Sequence, residues 1–429
     1  MNLLSKKELT AAEEALIESF KEYGQKTFER EDIKQLRSAA CQLFAYYGLP
    51  TKKVEYWHYT DLRKILQNLP QIMDKERDEN VPSLDPISVQ YSLLKFHPQK
   101  QDWAVQGSLQ DLIEIKSFAE EPDNLARFLQ KNLPEDEDTI AQINSACIID
   151  GYHVAIKENA KIPQPIEVQH IKETAQNHNG FFLEIGMNAK CCFIERFSSP
   201  DKAMFNTAIT QVLLKENAEL DWIILAEEGE ASFDLSQWKA DLAQGAKIRL
   251  YVVNFSSGMK RLEIKVNLLG AESDFQLRTL NLLGGNSYSD ITMNVSHKHA
   301  ETTSYELLRN VLSDHAKGSF QGIIRVAKDA QKVDAKMACN SLILSDDAEF
   351  SAKPELEIFA DDVACGHGAT MRDLNKDDLF YLMARGIPKK VAKALLIKAF
   401  LAEIFDDLDH EHLKDFIMQK IDLWSNRHA

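Results

Sequence analysis

A short signature centred on alanine recurs through the middle of the chain and constrains its fold more than any other feature. In each copy Asn, Gly, His or Asp precedes the alanine, and a Lys, Glu or Gln follows it. The alanines are spaced 29, 29, 28, 25, 29, 16, 14 and 18 residues apart: Ala160, Ala189, Ala218, Ala246, Ala271, Ala300, Ala316, Ala330 and Ala348. A small residue at a fixed turn between short strands is typical of a solenoid, whose successive coils stack at their corners.

Strand-like alternation flanks each copy of this signature, as in FFLEIGM, IRLYVV and FQLRTLNLL. A β-sandwich is the competing fold, but it predicts turns every 8 to 12 residues and Asn-Gly hairpins, which are scarce here. We therefore predict a mainly β protein with a β-solenoid core. Helical spacing near both ends predicts three domains: a helical or mixed domain at 1–145, the solenoid at 146–368 and a helical domain at 369–429.

Composition limits the classes of partner. The 429 residues carry a formal net charge of −16, which argues against a nucleic-acid partner because phosphate binding needs a basic surface. No apolar run reaches the roughly 18 residues that span a bilayer, and the N-terminus reads as a polar lead into a helix rather than a secretory signal. We expect a cytoplasmic protein whose six cysteines are reduced thiols.

The usual enzyme motifs are absent from the sequence. There is no P-loop, no G-x-G-x-x-G after a strand, no H-E-x-x-H and no G-x-S-x-G. A polysaccharide-cleaving β-helix enzyme is a rival class, but such enzymes are usually secreted. We predict that the protein is not an enzyme.

One pair of side chains suggests metal chemistry. Cys365 and His367 alternate with Gly366 and Gly368 where strand-like sequence gives way to helical sequence, and we predict a flexible hinge there. A thiolate and an imidazole are good ligands for iron or zinc, yet two ligands make only half of a tetrahedral site. His297 and His299 are further candidates. The alternative is a buried thiol beside a histidine that caps the following helix.

The tail predicts amphipathic helices. Asn375 is positioned to cap the first one, and the next places Val391, Leu395 and Ala402 on one face. Lys389, Lys390 and Lys393 lie near that face. The face either packs on the end of the solenoid or docks a partner.

The stretch LEIFADDVACGHGAT, followed by DDLFYLMARGI and an amphipathic helix, resembles the C-terminal region of the SufB/SufD family of the SUF iron–sulfur cluster assembly machinery. WHYTDL, from Trp57 to Leu62, resembles the N-terminal Trp-x-Tyr-Thr-x-Leu element of that family. The SufD branch usually reads Cys-Ser-His-Gly-Ala-Thr in the tail, whereas SufB typically carries Glu-His-Glu-Ala-Thr. Cys365 and Gly368 therefore place the chain on the SufD side, with Gly366 as a departure.

The resemblance implies a right-handed β-helix between helical ends, a SufB-like partner subunit and a SufC-like ATPase bound through the tail helices. It implies that iron or a nascent cluster is held transiently at the subunit interface, with His367 contributing and Cys365 as the second candidate. A bound flavin has no recognisable motif here. A SufB-like scaffold, or a structural homodimer with an inert Cys-His pair, remains the alternative.

Overall fold

The computed structural model describes residues 8–26, 30–69, 84–88, 90–97, 100–104, 107–132, 137–148, 150–172, 174–199 and 201–428. The first seven residues, interpreted above as a polar lead, lie outside these ranges. Helices with a few short strands come first, a long run of strands follows, and three helices come after that run.

Two long sheets form the centre of the molecule, and consecutive strands alternate between them. In the described residues one sheet has ten strands and the other nine, and from β4 onward each strand pairs in parallel with the strand two positions later. The first sheet contains β1 Ser92–His97, β2 Lys100–Ala104, β5 Ile166–Ile171, β7 Lys190–Ser199, β9 Glu219–Glu228, β11 Lys247–Asn254, β13 Asp274–Leu283, β15 Thr303–Leu312, β17 Val333–Ile343 and β19 Val363–Arg372. The second contains β3 Ile113–Ser117, β4 Asp150–Ile156, β6 Gln176–Ile185, β8 Met204–Leu214, β10 Ser232–Leu242, β12 Met259–Leu268, β14 Tyr288–His297, β16 Lys317–Val326 and β18 Glu349–Ile358.

This arrangement is a parallel β-solenoid of about eight turns, as the alanine repeat predicts. Alternate side chains of both sheets point into a shared interior filled by apolar residues such as Trp222, Leu250 and Ile264. No coil buries this surface alone, so each coil depends on its neighbours.

Most of the predicted alanines occupy buried corners. Seven are buried, whereas Ala271 and Ala300 are only partly buried. In those two coils the buried corner residue comes two positions later, at Ser273 and Thr302, immediately before β13 and β15. The prediction is therefore wrong for two of the nine positions, because Ser and Thr are also small enough for a corner.

The shorter spacings late in the repeat come from a second corner. Ala218 and Ala246 precede strands of the first sheet, whereas Ala316 and Ala348 precede strands of the second. The sequence pattern mixes these two corners of each coil. Its roughly half-length spacings are thus the distance between opposite corners of one coil.

An asparagine ladder runs along one corner. Asn159, Asn188 and Asn217 all have positive φ, and each amide donates to the carbonyl of the previous one at 3.1 and 3.3 Å. The next coil has Gly245, also at positive φ, where an added Cβ would lie 2.3 Å from the Asn217 side-chain oxygen. Glycine is required there because both the backbone conformation and the available space exclude a side chain.

Helices of the N-terminal third pack on the outer face of the second sheet. They are α1 Ala11–Lys26, α2 Glu31–Tyr47, α3 Leu62–Ile65, α4 Pro122–Lys131 and α5 Thr139–Cys147. Phe205 and Leu235 of the sheet join their core. The strands β1, β2 and β3 come from this same third yet extend the solenoid sheets, with β1 and β2 antiparallel to each other and β3 antiparallel to β4.

Helices of the tail pack on the outer face of the first sheet. They are α6 Lys376–Ala384, α7 Lys389–Leu401 and α8 Glu411–His428. Ile397 and Leu401 of α7, with Ile417 and Ile421 of α8, contact apolar side chains of β7 to β17. The domain limits predicted above remain predictions, and β19 carries solenoid pairing as far as Arg372.

We expect Ala246→Glu to destabilise the fold strongly, by more than about 3 kcal/mol, because the corner is fully buried and a carboxylate there has no partner. Ala271→Glu is the matched control, since this alanine is partly exposed, and we expect a loss under about 1 kcal/mol. Urea unfolding followed by circular dichroism measures both. Equal destabilisation of the two variants would contradict the corner assignment.

Candidate functional site

The predicted ligand pair lies on the last strand of the solenoid. Cys365 and His367 are in β19, in register with Ala335 and Met337 of β17. The predicted hinge is therefore wrong, because these residues complete a parallel ladder instead of breaking it. Gly366 and Gly368 do not have positive φ, and an added Cβ at either would meet nothing within 4 Å. The two glycines therefore leave the outer face of β19 without side chains at these positions, and they adopt no backbone conformation that requires glycine.

Both candidate ligands face the mouth of the solenoid interior. Cys365 packs against the interior core and is half-buried, and burial raises the pKa of its thiol. His367 lies on the same face two residues later, about 6.6 Å along the strand, and is exposed. In the part of the chain that the structure describes, its ring makes no hydrogen bond or ion pair. The pair is thus a thiol and an imidazole on the last coil of the solenoid. We name this end of the solenoid, formed by β18 and β19, the rim.

Other donors do not join them. Among the described residues no group of three His, Cys, Asp or Glu side chains is close enough to hold a metal ion. His297 is buried in the interior, where its ring nitrogens contact the hydroxyls of Thr302 at 2.8 Å and Ser304 at 3.2 Å, and burial lowers its pKa to about 4. His299 lines a surface cavity at a corner, beside Leu269. The described residues therefore supply two ligands at most at this rim.

The edges of the last coil are open. β18 and β19 each end a sheet, and in the described structure neither has a strand on its outer side. Both are ten residues long, and Phe359, just after β18, and Met371, within β19, are largely exposed. Unpaired N–H and C=O groups of such an edge are a template for another strand. The rim that holds Cys365 and His367 is therefore also a pair of open sheet edges that can accept further strands.

The helix after the motif has its own cap. The side-chain oxygen of Asn375 accepts hydrogen bonds from the backbone N–H groups of Asp377 and Asp378, at 2.9 and 3.4 Å. The alternative in which His367 caps the first tail helix is wrong, since the cap is the asparagine that the sequence predicts.

The predicted docking face of α7 is exposed. Val391 and Leu395 are 49% and 44% exposed, and Ala402 just after the helix is exposed too. Lys389 and Lys390 are exposed beside them and Lys393 is half-buried. The opposite face, with Ala392 and Ile397, packs on the solenoid. The alternative in which Val391 and Leu395 pack on the solenoid is therefore wrong, and docking of a partner by this face stays a prediction.

A second apolar surface went unrecognised in the sequence. α6 has no buried residue, and Phe380, Tyr381 and Met383 are 73%, 56% and 42% exposed. The signal was the FYLM run, which has no polar face of its own. α6 contacts α7. We name the exposed side chains Phe380, Tyr381 and Met383 of α6, together with Val391 and Leu395 of α7, the tail patch.

The WHYTDL element connects the N-terminal helices to the second sheet. Trp57 is buried, the guanidinium of Arg261 lies 3.7 Å from its ring centre, and Arg261 donates to the Tyr56 carbonyl at 2.6 Å. Thr60 contacts Asp290 and the Tyr288 hydroxyl on the solenoid. Trp57 and Leu62 belong to the core of the N-terminal helices. The polar groups of the element also fasten that core to the second sheet.

A buried carboxyl lies behind the rim. Glu306 of β15 is fully buried, and among the described residues neither of its oxygens has a hydrogen-bond partner of normal geometry. Burial raises its pKa to about 8, which the nearby Ser304 hydroxyl opposes only in part. No pattern in the sequence marks this residue, since an isolated Glu inside a strand usually faces solvent.

The fold and the rim define a β-solenoid protein with helical ends and a soft-ligand pair on its last coil. Residues 168–400, more than half of the chain, match the family model described as SUF system FeS cluster assembly, SufBD core domain. The chain belongs to this family of iron–sulfur cluster assembly proteins, which confirms the resemblance seen in the motifs.

Individual relatives agree with this assignment. The chain is 28% identical over 408 residues to the iron–sulfur cluster assembly protein SufD of Escherichia coli, covering 92% of this chain and 94% of the relative. It is 24% identical over 426 residues to SufD of Bacillus subtilis, covering 94% and 97%. SufB of Bacillus subtilis is 20% identical over 384 residues, covering 88% and 82%. Among the described residues, no helix is long and apolar enough to cross a membrane.

Glu306 makes stability depend on pH. Its pKa is about 8 in the folded chain against an ordinary 4.5, so the folded state binds the proton more tightly and its stability falls as pH rises between these values. Gln cannot ionise, so from pH 5 to 7.5 we expect the parent to lose up to about 3 kcal/mol relative to Glu306→Gln.

Urea unfolding at several pH values measures this difference. Glu357→Gln, at an exposed pair with Arg325, is the control and should keep the parental pH profile. A Glu306→Gln variant that also follows the parental profile would show that the carboxyl does not retain its proton in the folded chain.

Proposed function

We propose that the chain is a non-catalytic scaffold subunit for iron–sulfur cluster assembly, which pairs with a SufB-like subunit and binds a SufC-like ATPase. Iron or a nascent cluster is its transient cargo at the subunit interface, held in part by His367 and Cys365. The sequence has no motif that supports a bound flavin.

One observation carries the proposal. Cys365 and His367 lie on β19, and in the described structure the outer side of β19 has no neighbouring strand. Iron takes four ligands in most sulfur-rich sites, and this chain has no third donor close to the pair in its described residues. A site that is half complete and lies at an open edge is suited to completion by another protein. An inert structural pair has no need of that location.

The partner that suits the edge is another solenoid. SufB of Bacillus subtilis is similar to this chain over most of its length, so we expect a SufB-like protein to have a comparable array of parallel strands. Strand addition at a sheet edge uses backbone hydrogen bonds that β18 and β19 leave unmade. Two such ends facing each other would bring the partner's donors to Cys365 and His367.

The tail patch is suited to the ATPase. It combines exposed aromatic and aliphatic side chains with Lys389 and Lys390, in a protein whose overall charge is strongly negative. Exposed apolar surface of this kind marks a protein interface more often than an unused face. α7 connects the patch to the sheet that ends in β19, since its other face packs there.

We expect the double variant Phe380→Ser with Val391→Ser to weaken ATPase binding at least tenfold, because it removes two exposed apolar contacts of the patch. The matched control is Leu423→Ser on α8, which is 55% exposed but outside the patch. Gel filtration and calorimetry of the mixed proteins measure the effect. Removal of the whole tail is a poor test, because it would also expose Tyr251, Val253 and other residues of the first sheet.

Unchanged binding by the double variant would exclude the tail patch as the ATPase contact. Similar weakening by Leu423→Ser would mean that the interface lies elsewhere on the tail.

We expect His367→Ala to fold and assemble normally yet to accumulate at least a few-fold less iron and sulfide, since the exposed ring has no described structural partner. Cys365→Ala should also lower the content. The measurement is iron and sulfide analysis with absorbance spectra of the complex purified anaerobically with both partners. His315→Ala, an exposed histidine at a corner, is the control. Unchanged cluster content in the His367 variant would end the ligand hypothesis.

A further inference from the structure

The ladder that contains His367 continues inward to Glu306. Pairing places Leu250 beside Leu277, Leu277 beside Glu306, Glu306 beside Met337, and Met337 beside His367. The neighbouring ladder places Ser304 beside Ala335 and Ala335 beside Cys365. Glu306 is thus two strands behind the rim, about 9 to 10 Å from His367 along the pairing direction.

Among the described residues, no cation forms a hydrogen bond or ion pair with Glu306. The nearest charged groups on β13 are Arg278 and Asp274, and both side chains point to the outer face, where Arg278 donates to the Tyr305 carbonyl at 3.2 Å and Asp274 accepts from Thr303. On β14 His297 is engaged by Thr302 and Ser304. β17 contributes Val333, Ala335, Met337 and Cys339 to the interior, where burial raises the pKa of the Cys339 thiol to about 12, and β19 contributes Cys365.

An unpartnered buried carboxyl lowers stability, and a Leu would fit the ladder as its neighbours Leu250 and Leu277 do. Its one notable neighbour is the ligand pair: when ionised, the Glu306 carboxylate acts on the Cys365 thiol through space and raises the pKa of that thiol. A charge at 10 Å in a poorly polarisable interior still changes the binding of a divalent cation by about tenfold or more. The carboxyl therefore has the reach to affect the rim without contact.

We propose that Glu306 is the charge-compensating carboxyl of the rim: it is neutral in the empty chain and becomes a carboxylate when Cys365 and His367 accept a cation. The proton leaves to solvent, so binding of one divalent ion is balanced by loss of the Glu306 proton in addition to the thiol proton of Cys365. Glu306 is a positioning residue, not a ligand. The inference rests on the proposed function, because it needs a cation at this rim.

The test uses cobalt(II) as a spectroscopic substitute for ferrous iron, added anaerobically at pH 6.5 to the full-length chain, alone and co-purified with a SufB-like partner. Thiolate-to-cobalt absorbance reports occupancy at Cys365, and titration in weak buffer counts the protons released. We expect Glu306→Gln to bind about tenfold more weakly and to release about one proton fewer per cobalt ion.

Two further variants separate a charge effect from a packing effect. Thr279→Val removes another buried, unpartnered polar group of the interior and should keep the parental affinity and proton count. Glu306→Asp keeps the carboxyl and should restore the released proton, whatever its effect on packing.

Parental affinity and proton count in Glu306→Gln would overturn this inference and leave the proposed function intact. Loss of the proton in Glu306→Asp as well would also overturn it. Absence of cobalt absorbance in the parent, or its persistence in Cys365→Ala, would overturn the proposed function and with it the role of Glu306.

Discussion

The stacking of coils at their corners is the constraint on which the rest of this structure depends. At one corner the N–H of Lys190, Glu219 and Lys247 each donate to the carbonyl of the alanine one coil earlier, at 2.8 to 2.9 Å. These bonds form only if the corner residue is small enough for adjacent turns to approach to the spacing of paired strands. Once the corners are stacked, the ladders of both sheets follow. The positions of Cys365, His367 and Glu306 are consequences of that register.

The sequence predicts features whose cause is local. The corner alanines, the asparagines at positive φ, the Asn375 cap and the Cys365–His367 pair each have a residue-level reason that does not require the fold. Glu306 could not be found this way, because its significance comes from Met337 and His367, which lie 31 and 61 residues later and reach it only through pairing. The exposure of α6 is equally non-local, since it depends on which helices the first sheet has room to cover.

Errors in the sequence prediction have physical reasons too. Gly366 and Gly368 suggest a hinge because glycine is rare inside strands, yet here they extend a ladder whose outer face stays bare. Ala271 and Ala300 fit the spacing of the signature but are displaced by two residues from the buried corner, where Ser273 and Thr302 serve. The sequence from about residue 70 to 145 has no clear periodic pattern, because β1, β2 and β3 are short strands added to sheets formed much later in the chain.

The tail helices have a mechanical consequence. α7 and α8 contact apolar residues of β7, β9, β11, β13, β15 and β17, so they cross six strands of the first sheet and link their coils. Polar contacts attach the tail to separate coils: Lys420 with Glu227, Arg309 with Glu403, and Arg249 with the Asp407 carbonyl. A force applied to α6 would therefore be distributed over many coils and would not detach the last coil alone. The rim would move as part of a stiff body, which favours transmission of force over local unravelling.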